Sequence, residues 1–370
     1  MILSLFCGAG GLDLGFEDAG FDVGLAFDIR EDSIASYNAN RAGGKRGHVE
    51  DVASLTLARL DELWGGEFAP DGVIGGPPCQ SFSMANRTSM WGDPRHVLPL
   101  AYARLLGQLN ARKPVKFFVM ENVPGLASDR HSRRLSAMKT ALRKAGFAVK
   151  QAALDASDYR TPQRRERLFI VGLNAALFAG RKWSPPSPTT AKSDDMTVAG
   201  AIGALPEATY FARHLKPADI SHHPNHWCMA PKSEKFTRKG ALTPGNGANR
   251  SFKTLAWDRP SLTVAYGHRE VHIHPDCHRR LSVFEAMKLQ GFPDAYRLEG
   301  TLSSQIVQVS EAVPPPMAHA VASSVSEQAQ PLPPRKARGR PRPSAAAAAS
   351  VPALLPAQES ERCLEELSLA

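Results

Sequence analysis

The sequence predicts an α/β protein: a doubly wound, mostly parallel sheet, joined to a smaller loop-rich domain and followed by a disordered tail. Three observations carry this. Residues 1 to about 173 alternate short apolar runs with helical patterns, the rhythm of strands joined by crossover helices. From Trp183 the texture turns to Pro, Ser, Thr, Gly and His, with Ser184-Pro185-Pro186-Ser187-Pro188 at the boundary. Beyond Ser326 the composition falls into Pro, Ala and Arg, including the run Ala345 to Ala349, which cannot bury enough apolar surface to fold.

The elements follow in order. Ile2 to Phe6 reads as a first strand, Leu12 to Ala19 as a helix, and Asp22 to Phe27 as a second strand; further strands are expected at Gly72 to Ile74, Lys116 to Met120 and Leu168 to Val171. Pro244-Gly245-Asn246-Gly247 marks a loop, and helical periodicity returns at Val283 to Leu289 and Pro316 to Val325, expected to rejoin the large domain. Residues 329–358 read as disordered, with a short helix near Glu361 to Leu367.

The 43% hydrophobic and 22% charged composition of these 370 residues excludes wholesale disorder, a collagen and a disulfide scaffold. Residues run nowhere to 18 apolar in a row, and the apolar start lacks a basic lead, so a cytoplasmic, nucleoid-associated protein without membrane contact is expected. The net charge of +9 favours a polyanionic partner, and it is concentrated: residues 174–257 hold 11 Lys/Arg against 5 Asp/Glu.

Phe6-Cys7-Gly8-Ala9-Gly10-Gly11 follows the first strand and opens the first helix, where glycines admit a ligand to the backbone and helix N–H groups stand free. A dinucleotide fingerprint would need Gly where Asp13 stands, which disfavours a nicotinamide site. Asp28 ends the second strand, 20 residues after Gly8, where an acidic residue commonly holds ribose hydroxyls. Asp51, after the next helix, is placed to meet an amino group on an adenine ring. Taken singly, Asp28 or Asp51 reads equally as a helix cap or a solvated turn. In sheet order the three features suggest an adenosine-containing cofactor that need not carry a pyrophosphate.

Five cysteines without a repeated spacing leave room for one working thiol. In Gly75-Gly76-Pro77-Pro78-Cys79 the prolines stiffen the approach and fix a thiol at the carboxyl edge of a strand, where open α/β sheets place ligands. Cys7, Cys228, Cys277 and Cys363 read as inert. Phe117-Phe118-Val119-Met120 ends abruptly in Glu121, a strand-tip carboxyl whose apolar setting raises its pKa. In Gln163-Arg164-Arg165-Glu166-Arg167 the alternating Arg165 and Arg167 share one face if the segment is extended.

With these residues in view, the chain resembles the cytosine carbon-5 DNA methyltransferase family. Blocks match in family order over residues 1 to about 325: Phe6 to Gly11, Asp28, Asp51, Pro77-Pro78-Cys79, Glu121-Asn122-Val123, Gln163 to Arg167, Arg259-Pro260-Ser261-Leu262-Thr263, Leu289-Gln290-Gly291-Phe292-Pro293 and Ala312-Val313-Pro314. The resemblance implies a class I methyltransferase-like catalytic domain over 1–174 plus 283–327, a target-recognition domain over 175–282, and a basic disordered tail over 328–370.

It also implies chemistry. The Cys79 thiolate adds to carbon 6 of a cytosine rotated out of duplex DNA, making carbon 5 nucleophilic toward the methyl of S-adenosylmethionine. Glu121 hydrogen-bonds or protonates ring nitrogen 3, while Arg165 and Arg167 hold the base and order the site. Phe6, Gly8, Gly10, Gly11, Asp28, Asp51, Pro77, Glu311 and Ala312 bind the cofactor, and Met84 to Arg95 closes over DNA. Double-stranded DNA is the implied partner of a monomer, with a companion restriction endonuclease where the enzyme serves a restriction-modification system. A tRNA cytosine-5 methyltransferase and a catalytically silent DNA-binding relative are the alternatives.

Two departures stand out. Ser310-Glu311 replaces the family's Gly-Asn beside the methionine end of the cofactor, and Asp28 replaces the more common Glu. The histidines around His222–Cys228 and His268–His278 lack paired finger spacing, so no metal is expected. Arg338-Gly339-Arg340-Pro341 resembles an AT-hook and reads equally as a solvated basic linker.

Overall fold

A computed structural model describes residues 1–41, 46–78, 98–246, 252–264 and 272–330. Cys79, the expected closing segment 84–95, His268 and the tail from residue 331, with its AT-hook-like run, lie outside the described residues.

The central sheet has seven strands: β1 (Ile2–Leu5), β2 (Val23–Asp28), β3 (Gly47–Val49), β4 (Gly72–Gly75), β5 (Phe117–Asn122), β6 (Phe147–Asp155) and β7 (Glu166–Asn174), in the order β3-β2-β1-β4-β5-β7-β6. Between them run α1 (Gly11–Asp18), α2 (Glu31–Ala39), α3 (Leu57–Trp64), α4 (Leu98–Arg112) and α5 (Ser132–Lys144). The first five strands of that order pair in parallel, and β7 inserts antiparallel to both β5 and β6. The connection from β6 to β7 is too short for a crossover helix, so the chain can only double back.

Strands buried on both faces read as continuous apolar runs, and β1, β4 and β5 are buried throughout. One face of the sheet, with Val23, Val119 and Val171, packs on α1 through Phe16 and on α9 (Pro315–Gln328) through Met317, Val321 and Val325. The other, with Leu5, Phe118 and Ile170, packs on α4 and α5 through Leu105, Leu106 and Leu142. Helices α1 and α9 lie backbone to backbone: a Cβ on Gly15 would stand 2.4 Å from the His319 nitrogen, so only glycine fits.

Residues 198–312 add α6 (Val198–Ile202), the short strands β8 (Thr209–Tyr210), β9 (Trp227–Cys228), β10 (Lys253–Thr254) and β11 (His272–Ile273), and the helices α7 (Val283–Leu289) and α8 (Leu302–Glu311). Their apolar side chains, among them Trp227, Val264, Phe284, Val309 and Ala312, form a third cluster that also takes in Ala9 from the turn after β1. Helix α9 returns to the sheet as the periodicity predicts, whereas α7 shares its core with the loop-rich segment. No helix among the described residues is long and apolar enough to cross a membrane.

Candidate active site

The carboxyl ends of β1, β2, β4 and β5 open onto a cavity of about 370 Å³, within the usual range for a small-molecule site. Its floor is the turn from β1 into α1. Phe6 and Gly8 take left-handed backbone (φ 55° and 54°), and Gly10 does so at φ 86°. A Cβ on Gly8 would meet nothing within 4 Å, so a ligand can lie against that backbone; a Cβ on Gly11 would stand 2.4 Å from the Val313 carbonyl oxygen, so α1 is held tight against the segment after α8.

Asp28, at the tip of β2, braces this turn. Its Oδ2 accepts the Gly8 N–H and its Oδ1 the Arg30 N–H, both at 2.9 Å. Burial raises its pKa, and the two N–H donors and the Arg30 guanidinium pull the other way. Asp51 lines the same cavity, and its Oδ1 accepts the Ala53 N–H at 2.9 Å, so the cap reading and the ligand-facing placement hold together.

Beneath the glycine turn is a buried polar network. Asp13 Oδ1 accepts the Tyr37 hydroxyl at 2.9 Å, Arg41 lies 3.6 Å over the Tyr37 ring and pairs with Glu17, and the Tyr296 hydroxyl donates to the Ala9 carbonyl.

At the opposite wall, β5 delivers Glu121, only 8% exposed, and β7 delivers Arg167, whose Nε lies 2.9 Å from Glu121 Oε1. Burial raises the Glu121 pKa against the opposing pull of Arg167 and then Arg165. Gly76 leaves room for this carboxyl, since a Cβ there would come within 3.0 Å of Glu121 Oε2. The next residue, Asn122, donates from Nδ2 to the Pro77 carbonyl at 3.2 Å, fixing the Pro77-Pro78 segment beside the pair. That segment leads directly into Cys79.

The cavity therefore gathers Phe6, Gly8, Gly11, Asp28, Asp51 and Pro77 with the Glu121–Arg167 pair, and α8 closes it with Glu311 followed by Ala312. Gly10 and Arg165 are not among its lining residues. Arg165 is fully buried: Nη1 donates to the Val264 carbonyl at 3.2 Å, and Nη2 to the Ser310 and Ala312 carbonyls at 2.8 and 2.9 Å. The neighbouring Gln163 works the same way, accepting the Val264 N–H at 3.0 Å and bridging to Ser261.

Sequence reasoning missed Ile29 and Arg30. Ile29 stands 68% exposed on the cavity wall beside Asp28, an apolar surface suited to a flat ring, and its only sequence signal is an apolar residue directly after a strand-tip acid. The other described thiols cannot ionise easily. Burial lifts Cys7 well above its ordinary pKa and Cys228 up to about 12, and Cys277 is raised too. His274, Asp276 and His278 bring ligand atoms within 4.8 Å of one another, but Asp276 N–H already donates to His274 Nδ1 and His278 Nε2 meets Glu207.

Residues 1–327 match the family model of C-5 cytosine-specific DNA methylases. The chain belongs to that family. This methylase is 30% identical over 347 residues to the type II methyltransferase M.MthTI of Methanothermobacter thermautotrophicus, covering 88% of this chain and 97% of the relative. It is 32% identical over 337 residues to M1.HphI of Haemophilus parahaemolyticus, covering 87% and 86%. In fold it is similar to a DNA modification methyltransferase encoded within an E. coli prophage (TM-score 0.68, 24% identity, 88% and 98% covered) and to the S. pombe Dnmt2 methyltransferase (TM-score 0.60, 18% identity, 88% and 98% covered). The methylase is thus an enzyme that transfers a methyl group to carbon 5 of cytosine in DNA, and its family implies S-adenosylmethionine as the general donor. A cavity floored by an open glycine turn, with a carboxylate at one end and a carboxyl–guanidinium pair at the other, fits that donor.

Proposed function

We propose that this methylase seats S-adenosylmethionine in the cavity and methylates a cytosine within a specific duplex sequence through a covalent adduct on Cys79. The continuity of one cavity from Asp28 to Glu121 carries the reading, because it joins a seat for adenosine to a seat for a base. Asp28 faces the ribose hydroxyls, Ile29 and Asp51 the adenine, and Phe6, Gly8, Gly10, Gly11, Pro77, Glu311 and Ala312 form the surrounding wall and its support. When bound, the cofactor supplies an electrophilic sulfonium methyl.

The protein's own groups do the rest. Carbon 5 of an aromatic pyrimidine is a poor nucleophile, and addition of a thiolate divides one hard step into easier ones. Sulfur of Cys79 bonds to carbon 6, carbon 5 gains the electron pair and takes the methyl, the carbon-5 proton departs to solvent, and the carbon–sulfur bond breaks. Glu121, whose pKa burial raises, is placed to hold a proton at ring nitrogen 3 while charge develops there. Arg167 fixes that carboxyl and adds positive potential, which lowers the cost of a nearby thiolate. Arg165 orders the wall behind them.

The basic segment 175–282 is the proposed recognition domain, its Lys and Arg holding phosphates and setting register. The type II names of the relatives support a companion endonuclease. We read the enzyme as a monomer on duplex DNA, with the target base rotated out of the stack.

The test is expression of the full chain in a host lacking cytosine methylation, followed by bisulfite mapping. One modified sequence motif is expected with the wild type and none with Cys79→Ser, which should still bind DNA. Methylation retained by Cys79→Ser removes that thiol from the reaction.

A further inference from the structure

We infer that Arg133 and Arg164 grip phosphates of the duplex from the catalytic domain, an inference that rests on the duplex-DNA reading above and adds to the contacts proposed there for residues 175–282. Strands β5 and β7 are antiparallel neighbours, so the chain leaving β5 and the chain entering β7 lie at the same edge, the one that presents Glu121 and Arg167. Residues 128–134, after β5, and 160–167, leading into β7, hold seven Lys/Arg against two Asp/Glu. Arg160 meets Asp194 at 3.3 Å, Arg165 turns to buried carbonyls and Arg167 to Glu121, whereas Arg133 and Arg164 are exposed.

Each placement suits an anion arriving from outside. Arg133 lies in the first turn of α5, Ser132-Arg133-Arg134-Leu135, which holds no acid. Cations there oppose the helix dipole, and a phosphate over that turn removes the conflict. The other end of α5, with Arg143 and Lys144, lies at the opposite edge of the sheet, where β6 begins, and there the dipole favours cations. Arg164 stands on a locked backbone: its N–H donates to the Ser261 carbonyl at 2.9 Å and its carbonyl accepts the Thr263 hydroxyl at 2.8 Å. Its neighbours Gln163 and Arg165 are buried, so this guanidinium alone of the three side chains faces out from the edge. A guanidinium meets phosphate through parallel N–H donors, and such contacts fix register without reading sequence.

Fluorescence anisotropy of the full chain on labelled duplexes of several unrelated sequences, over a range of salt, tests this. One lost phosphate contact takes about 0.9 from the slope of log affinity against log salt, which is about eightfold in affinity at about 0.1 M salt. We expect Arg133→Gln and Arg164→Gln each to show that loss, to the same extent on every duplex, with the urea midpoint unchanged. The charge-keeping Arg133→Lys and Arg164→Lys should retain the wild-type slope. Arg143→Gln, about 15 Å farther along the same helix, should leave slope and affinity unchanged. A wild-type slope in either Gln variant at positions 133 and 164, or an equal fall in Arg143→Gln, overturns the grip. Failure of the wild type to bind any duplex overturns the duplex-DNA reading itself.

Discussion

Asp13 gives the sharpest quantitative prediction. It lies in the first turn of α1, under the glycine turn that floors the cavity, and is fully buried. Burial lifts its pKa from 3.8 to about 6, with Glu17 adding to the rise and the Arg41 guanidinium opposing it. An acid whose folded-state pKa lies above its unfolded value is bound to its proton more tightly in the native state. Stability from this group is therefore highest below about pH 4 and is lost as pH rises to about 6. The shift of about two units corresponds to roughly 3 kcal/mol, lost in full above that window.

Asp13→Asn removes the charge while leaving Oδ1 to accept the Tyr37 hydroxyl. In urea unfolding of the full chain we expect the variant to be more stable than wild type by roughly 3 kcal/mol at about pH 8, and equal to it at about pH 4. The difference should grow steadily between those limits. A variant less stable than wild type at about pH 8, or one whose difference does not change with pH, would refute the argument that the charge is paid for by the fold.

Arg165 and Arg167, alike in sequence, should separate on substitution. Arg165→Met leaves three buried carbonyl oxygens without their donor and should cost about 3 kcal/mol or more in thermal or urea unfolding. Arg167→Gln should also destabilise, because it leaves the buried Glu121 carboxyl without its guanidinium, and it should in addition lose methyl transfer, measured with tritiated cofactor, because that carboxyl lies at the cavity. Glu121→Gln should lower kcat by about a hundredfold or more, the usual weight of a positioned acid. Cys7→Ala should retain methylation, since burial holds the Cys7 thiol protonated; loss of activity in a folded Cys7→Ala protein would contradict that reading.

What the sequence made legible follows burial. β1, β4 and β5 are covered on both faces, and their uninterrupted apolar runs stand out. β3 has three residues, and β6, at the sheet edge, is interrupted by the adjacent polar pair Lys150-Gln151, so neither carries a run long enough to read. The antiparallel insertion of β7 is set by where β6 ends, not by any pattern inside β7. At the site, Asp28 and Glu121 were legible because a charged residue closing an apolar strand has one place to go, the carboxyl edge. Ile29 was not, because an apolar residue after a strand reads as more strand until the cavity shows it exposed.

The two arginines show how far period-two reasoning reaches. Residues 165 and 167 share a face only while both belong to an extended strand, and the pairing of β7 with β6 begins at Glu166. One position earlier the strand ladder has not begun. The Arg165 backbone is still held, its N–H donating to Asp155 Oδ1 and its carbonyl accepting the Ala156 N–H, and the Arg165 side chain goes inward to the carbonyls of Val264, Ser310 and Ala312. Those three carbonyls come from the loop after the Arg259–Thr263 block and from the end of α8, segments about a hundred residues or more away in sequence. Gln163 and the Thr263 hydroxyl, which donates to the Arg164 carbonyl at 2.8 Å, tie the same strand entrance to the same loop. The stretch just before β7 is thus where the sheet that presents Glu121, the segment proposed to read DNA and the wall proposed to hold the cofactor are joined by buried hydrogen bonds. A displacement of either segment must break several of them together, so base-side and cofactor-side geometry are expected to move as one unit and not independently.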